Sequence, residues 1–261
     1  MIGLACSTVS CDGFDDNQFA VSLQIVPQVG FRFIEFNCWH PGDITPERIG
    51  LLKAQCAQVG LEPISVYGWG FGGSNLSELA KDVAHKIRLI EAAGELGCRR
   101  VVATGARRDE SGGLQGIITV LREIVKYAEE KDVLICLENH ASNNLETIED
   151  YESIFRQVHS DHVGLCVDTG HFEAAGIHLP DVVHHFAGKI NHVHVKETVQ
   201  FGVERFVRFG QGVTDNRAFL QSMVDLGYQG YVSVELAIAD KTNLLADLRV
   251  PFEMFHPFEH D

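Results

Sequence analysis

Three short apolar runs between Val133 and Glu197 each end in ionisable residues, and no other feature constrains the fold as much. They read VLICLENH (133–140), VGLCVDTGH (163–171) and INHVHVKE (190–197). Runs of this length, rich in Val and Ile and separated by helical patterns, predict buried parallel strands. Each delivers its ionisable residues at its C-terminal end, where chemistry sits in open and closed α/β sheets. A fourth run, Tyr231 to Leu236, repeats the pattern and contributes Glu235.

The rest of the chain alternates in the same way. Ile2 to Ala5, Phe33 to Phe36, Leu61 to Val66 and Arg99 to Ala103 supply four more strand candidates. Helical spacing follows each. Phe19 to Val29 stops at Gly30. Thr45 caps a helix opened by Pro46 and ended by Gly60. A long helix spans 75–96 before Gly97, and another runs over 113–130. Asn143 and Glu146 form an expected capping box for the next helix. A shorter helix is expected over 180–187. Asp215 caps one that ends near Gly227, and the tail is helical up to Pro257. Residues 196–214 form a long connection with Phe201, Phe206 and Phe209, expected to act as a flap over a pocket. Eight strands alternating with eight helices predict a closed (β/α)8 TIM barrel, an α/β fold, as one domain over residues 1–261. A doubly wound open sheet is the runner-up.

Composition narrows the function. With 261 residues, 45% of them hydrophobic, the chain can bury one sizeable core. A formal net charge of -15 disfavours nucleic acid and anionic membrane surfaces as partners. Seven cysteines without a CxxC pair argue for a reducing compartment over a disulfide framework. Neither a secretory signal nor a membrane span is visible, so the expected location is cytoplasmic. The glycine-rich loop YGWGFGGS (67–74) matches neither the P-loop pattern nor the dinucleotide fingerprint.

Four residues at four expected strand ends, Glu138, Asp168, His194 and Glu235, form a candidate ligand set for one divalent metal ion. Oxygen donors with one nitrogen and no thiolate suit Mn²⁺ first, and permit Mg²⁺, Co²⁺, Zn²⁺ or Fe²⁺. Each residue alone has a plain structural role to fill: a helix cap, an ion pair or a packed imidazole. His192 and His194 share a strand face, and His194 lies nearer the mouth. His171, in DTGH, can bond a substrate hydroxyl or join the metal. Lys196 can polarise a carbonyl or bind an anionic group. His140 is a further pocket candidate, and Asn139 a support for the ligands. Trp39 and Trp69 follow strand ends and can wall a substrate pocket or simply pack beneath loops. Glu35 can face the mouth or serve as a salt-bridge partner. The arginines at 107 and 108, beside Asp109 and Glu110, are read as solvated charge.

With LEN (137–139), DTGH (168–171), HVHVKE (192–197), GQG (210–212) and GYQGYVSVE (227–235), the chain resembles the xylose isomerase-like barrel superfamily. It looks like the branch that holds tagatose epimerase, hydroxypyruvate isomerase and inosose dehydratase. The resemblance covers essentially the whole chain. It implies that Glu138, Asp168, His194 and Glu235 hold the metal, that the two glutamates move protons, and that His171 binds substrate. It also implies a homo-oligomer, dimer or tetramer, acting on a sugar or cyclitol. Two departures matter. The many histidines of the endonuclease IV-like branch are missing. Lys196 stands where ketose 3-epimerases of the superfamily carry a small residue, which leans toward the dehydratase side. The expected chemistry is isomerisation or epimerisation of a keto-sugar through an enediolate. The alternative is a dehydratase or lyase acting on an inosose or a 3-keto sugar.

Overall fold

The computed structural model describes residues 2–14, 17–109 and 112–259; Glu110 therefore lies outside the described residues. Eight parallel strands close a barrel: β1 (Gly3–Ser7), β2 (Phe33–Cys38), β3 (Glu62–Gly68), β4 (Arg100–Ala103), β5 (Leu134–Glu138), β6 (Val163–Asp168), β7 (Ile190–Val195) and, after a two-stranded hairpin, β10 (Tyr231–Val234). Neighbours run β1, β10, β7, β6, β5, β4, β3, β2 and back to β1, so the open-sheet alternative is overturned. Helices α1 (Ala20–Val29), α2 (Pro46–Val59), α3 (Leu76–Leu96), α4 (Gly113–Lys131), α5 (Ile148–Gln157), α6 (Thr169–Ala174), α7 (Leu179–Phe186), α8 (Asn216–Asp225) and α9 (Leu244–Phe255) connect and surround it.

Strand alternation sorts the side chains. Ile135, Leu137, Leu165, Val167, Val193 and Val195 belong to the main apolar core between barrel and helices. Their alternates point into the barrel. Cys136 and Cys166 pack there with Tyr67 and Val102 in a small separate cluster. One step further along the same strands, Glu138 and Asp168 stand at the C-terminal mouth. Strand pairing puts Asp168 opposite His194, and His194 opposite Ser233.

Several expected boundaries hold. The Thr45 side chain accepts from the Arg48 amide with Pro46 in the first turn, and Asp215 accepts from the Ala218 amide at 2.9 Å. Gly60 and Gly97 end α2 and α3 with φ of 75° and 97°.

Two expectations need correction. The capping box before α5 is made by Thr147 and Asp150, not by Asn143 and Glu146. The Asn143 carboxamide instead closes a turn by accepting from the Leu145 amide. The Glu146 carboxylate accepts from the Ser142 amide and pairs with Arg108. That ion pair, with a second to Asp150, also makes Arg108 a structural residue and not merely solvated charge. The long 196–214 connection has regular structure of its own. It contains an antiparallel hairpin, β8 (Thr198–Gln200) and β9 (Val203–Phe206). Glu197 pins its base by accepting from the Gly210 and Gly212 amides, each at 2.8 Å. A Cβ on Gly212 would lie 2.2 Å from the Thr198 carbonyl oxygen, so only glycine permits this closure.

Candidate metal and substrate site

The barrel mouth gathers side chains from most strands. Glu138 ends β5, Asp168 ends β6, His194 lies on β7 and Glu235 follows β10. One oxygen or nitrogen from each of the four lies within 4.8 Å of the others. Glu138, Asp168 and His194 have no exposed surface, and Glu235 has 5%.

His194 is the hub. Its Nδ1 is 2.5 Å from Glu138 Oε1 and 3.5 Å from Glu235 Oε1, while its Nε2 lies 2.9 Å from Glu35 Oε1. Nδ1 therefore faces the carboxylate cluster, and Glu35 holds the far edge of the ring. Glu35 is fully buried, so it is a salt-bridge partner inside the barrel and not a rim charge. It also takes His192 Nε2 at 2.9 Å and the Ser65 hydroxyl at 2.6 Å. Burial pushes the Glu35 carboxyl up, but the two imidazoles outweigh it and hold the group well below the usual range. Burial likewise opposes protonation of His194, yet Cys166, Glu35, Glu235 and Glu138 around it raise its basicity strongly. His192 sits deeper, as expected, and burial lowers its pKa.

Glu138 has more partners. Its Oε2 accepts from the Tyr67 hydroxyl and lies 2.8 Å from His140 Nε2. Burial drives its carboxyl upward, but His140 and His194 dominate and depress it. His140 stacks on His171 with centroids 3.8 Å apart, and Phe206 meets the His171 edge at 4.6 Å. Burial and the Lys196 charge keep His171 well below its usual pKa.

Asp168 has a local reason for its position that the sequence pattern did not reveal. It caps the short helix α6, accepting from the His171 amide at 2.9 Å, so DTGH is a helix start. Asn139 supports the backbone beneath it. Its Nδ2 donates to the Asp168 carbonyl at 3.0 Å, and its Oδ1 accepts from the Asp168 amide at 2.7 Å.

Lys196 Nζ lies 2.7 Å from Asp168 Oδ2 and 2.8 Å from Glu235 Oε2. It also sits 5.0 Å from the centroid of the Phe206 ring. Burial disfavours the ammonium, but the carboxylates around it prevail and keep it protonated far above its ordinary range. A Cβ on Gly170 would lie 2.9 Å from the Lys196 Cβ, so glycine there lets α6 pack on the lysine stem.

These residues fit a divalent cation. The donors are three carboxylates and one imidazole, without thiolate. Four buried carboxylates, Glu35 included, crowd around Lys196 and His194, a concentration of negative charge that a divalent cation would offset. A second grouping, Cys166 with His192 and His194, fits poorly. Burial pushes the Cys166 thiol well up, and His192 is committed to Glu35.

Above the cluster opens a cavity of about 660 Å³. Glu235, Lys196, His171 and His140 reach it, as do Tyr67 and Trp39. Trp69 does not line it. That residue is 56% exposed, borders a neighbouring cavity, and touches Trp39 edge-on at 6.3 Å. Four further residues escaped the sequence reading. Ser7 donates to Asn37 Oδ1 at 2.7 Å and lies 3.3 Å from Glu235 Oε1. Thr8 donates to the same Asn37 oxygen at 2.8 Å, and the Tyr67 hydroxyl anchors Glu138.

The sequence pattern described as xylose isomerase-like TIM barrel matches residues 23–250. The chain belongs to this family. An inosose isomerase of Bacillus subtilis (strain 168) is 30% identical over 170 residues, 61% of either chain, so the matched part spans about three fifths of that relative. A D-psicose 3-epimerase of Enterocloster bolteae is 24% identical over 243 residues, 86% of this chain and 79% of the other. Among solved structures, that of the IOLI protein with a binding zinc atom superposes with a TM-score of 0.80. It is 22% identical and covers 98% of this chain and 97% of its own, a likeness of fold. Among the described residues no helix is long and apolar enough to cross a membrane.

Proposed function

We propose that this chain is a divalent-metal-dependent isomerase or epimerase acting on a keto-sugar or cyclitol ketone through an enediolate. One observation carries the reading: three carboxylates and an imidazole meet beneath a cavity into which Glu235 projects. The names of the related inosose isomerase and psicose epimerase support the substrate class. Glu138, Asp168, His194 and Glu235 would hold the cation, Mn²⁺ by preference. Bound there, it would draw electron density from a carbonyl and its neighbouring hydroxyl and acidify the C–H between them.

The remaining work falls to side chains. Glu235 faces the cavity and takes the proton. Glu138, already bonded to Tyr67 and His140, is the partner carboxylate for its return. His171 and Lys196 line the same space and stabilise negative charge on the enediolate oxygens. Reprotonation on the opposite face gives epimerisation; at the adjacent carbon it gives isomerisation.

A second reading rests on Lys196. An ammonium held at the cavity wall beside Glu235 can assist departure of a β-hydroxyl, which would make the enzyme a dehydratase or lyase. Incubating Mn²⁺-loaded protein with ketohexoses and inososes in deuterated water separates the two. Deuterium in a recovered sugar that keeps all its oxygens supports isomerisation or epimerisation. A product lighter by one water supports elimination. No exchange and no product with any of them defeats both readings.

A further inference from the structure

The polar machinery accounts for only part of the cavity lining. Beside Glu235, Lys196, His171 and a few other polar groups, Asp12, Asn37, His140 and Lys241, the wall carries the apolar side chains of Val9, Phe14, Trp39, Phe206, Leu236 and Ile238. Size points the same way. A hydroxyl-bearing carbon takes roughly the volume of one water, ~30 Å³, so a six-carbon polyol fills about 180 Å³. That is well under half of the 660 Å³ present.

The apolar part is aromatic and continuous with the reacting end. Phe14 and Trp39 have ring centroids 5.4 Å apart, and Trp39 and Tyr67 are 4.8 Å apart. The Tyr67 hydroxyl in turn bonds Glu138. Phe14, at 67% exposure, is a large apolar ring held at a cavity mouth with little of it covered. Such a surface gains from a flat apolar guest through burial and ring contact.

We propose that the substrate is a keto-glycoside, or a related polyhydroxy ketone, carrying an aromatic substituent that lies against Trp39 and Phe14. This rests on the reading of the polar floor as a keto-sugar site, and it names what the remainder of the cavity accepts. The ketone lies over Glu235 and Lys196, and the aromatic group leads outward along the ring wall. Free small ketoses leave that wall uncovered.

The test compares two probes that differ only in the substituent: phenyl 3-keto-β-D-glucoside and methyl 3-keto-β-D-glucoside. Binding to the Mn²⁺-loaded protein is measured by calorimetry, and deuterium uptake beside the carbonyl is followed in the same samples. The phenyl probe is expected to bind about tenfold tighter, a typical ring-contact advantage. In F14A the ratio of the two affinities should fall toward one. Equal affinities in the wild type, an unchanged ratio in F14A, or no detectable binding of the phenyl probe would overturn the assignment. So would F14A converting a dimer to monomers at an unchanged ratio, because the rim would then be a surface between two copies. Deuterium uptake with equal affinities would sink the aromatic subsite but leave the keto-sugar reading standing. A tenfold ratio without uptake would do the reverse for this substrate class.

Discussion

The two halves of the barrel mouth differ in chemistry. The half built from β5, β6, β7 and β10 carries Glu138, Asp168, His194 and Glu235. The half built from β1 to β4 contributes no residue to that set. It offers Ser7, Asn37, Glu35, Ser65 and Tyr67 as partners, together with the Trp39 wall. Most of these partners press on the first set: Glu35 on His194, Tyr67 on Glu138 and Ser7 toward Glu235. One half holds the reactive groups and the other fixes their orientation, which is how a cluster of like charges acquires a single geometry.

The sharpest way to break this division is at its most exposed reactive group. E235Q removes a negative charge and the cavity-facing base while conserving shape. Turnover of the keto-sugar substrate should fall by about 10³-fold, within the usual range for a general base. The far-ultraviolet circular dichroism should stay unchanged. Activity within tenfold of the wild type would remove Glu235 from proton transfer and shift the reactive role elsewhere.

The next effect tests whether the supporting half matters to the metal. E35Q leaves all four proposed ligands in place but takes the charge from the far edge of the His194 ring. Metal affinity measured by titration should drop 10- to 100-fold, as is usual when a carboxylate behind a ligating histidine is lost. An unchanged affinity would mean that the β1–β4 half merely fills space.

The same division explains what was legible in the sequence. Glu138, Asp168 and His194 end long apolar runs, so local pattern alone placed them at strand ends, and Glu235 followed by repetition. The closed barrel followed from the same alternation. Glu35 was ambiguous because its partners, His192 and His194, lie more than 150 residues away, and no local spacing encodes that distance. A signal did exist. Ser7, Glu35, Asn37, Ser65 and Tyr67 all share the inward parity of their strands, and polar residues at that parity could have been read as barrel lining. Short-range competition hid the rest. Asn143 and Glu146 satisfy a capping pattern, but Thr147 and Asp150 satisfy it four residues later, next to the apolar periodicity of α5. The helix α6 spans six residues, too few to show a period.

The smallest expected effect lies behind the supporting half, away from the carboxylates. His85 on α3 borders the cavity beside Trp69. Burial and the neighbouring Lys86 ammonium lower its pKa to about 4, with Asp82 opposing. Lys86 itself holds the Trp69 and Gly70 carbonyls at 2.8 and 3.0 Å. The sign follows from linkage. Below the ordinary histidine value of 6.5 the unfolded chain takes up a proton that the folded chain refuses until about pH 4. Stability from this group is complete above 6.5 and declines as pH falls through that window. A 2.5-unit shift would correspond to ~3 kcal/mol, but His85 is partly solvated, so about 1–2 kcal/mol is expected. H85Q should therefore lose a few degrees less in Tm than the wild type between pH 6.5 and pH 4. Parallel melting curves for the two proteins across that range would show that His85 contributes no such titration, and that the acid sensitivity of the fold arises at other groups.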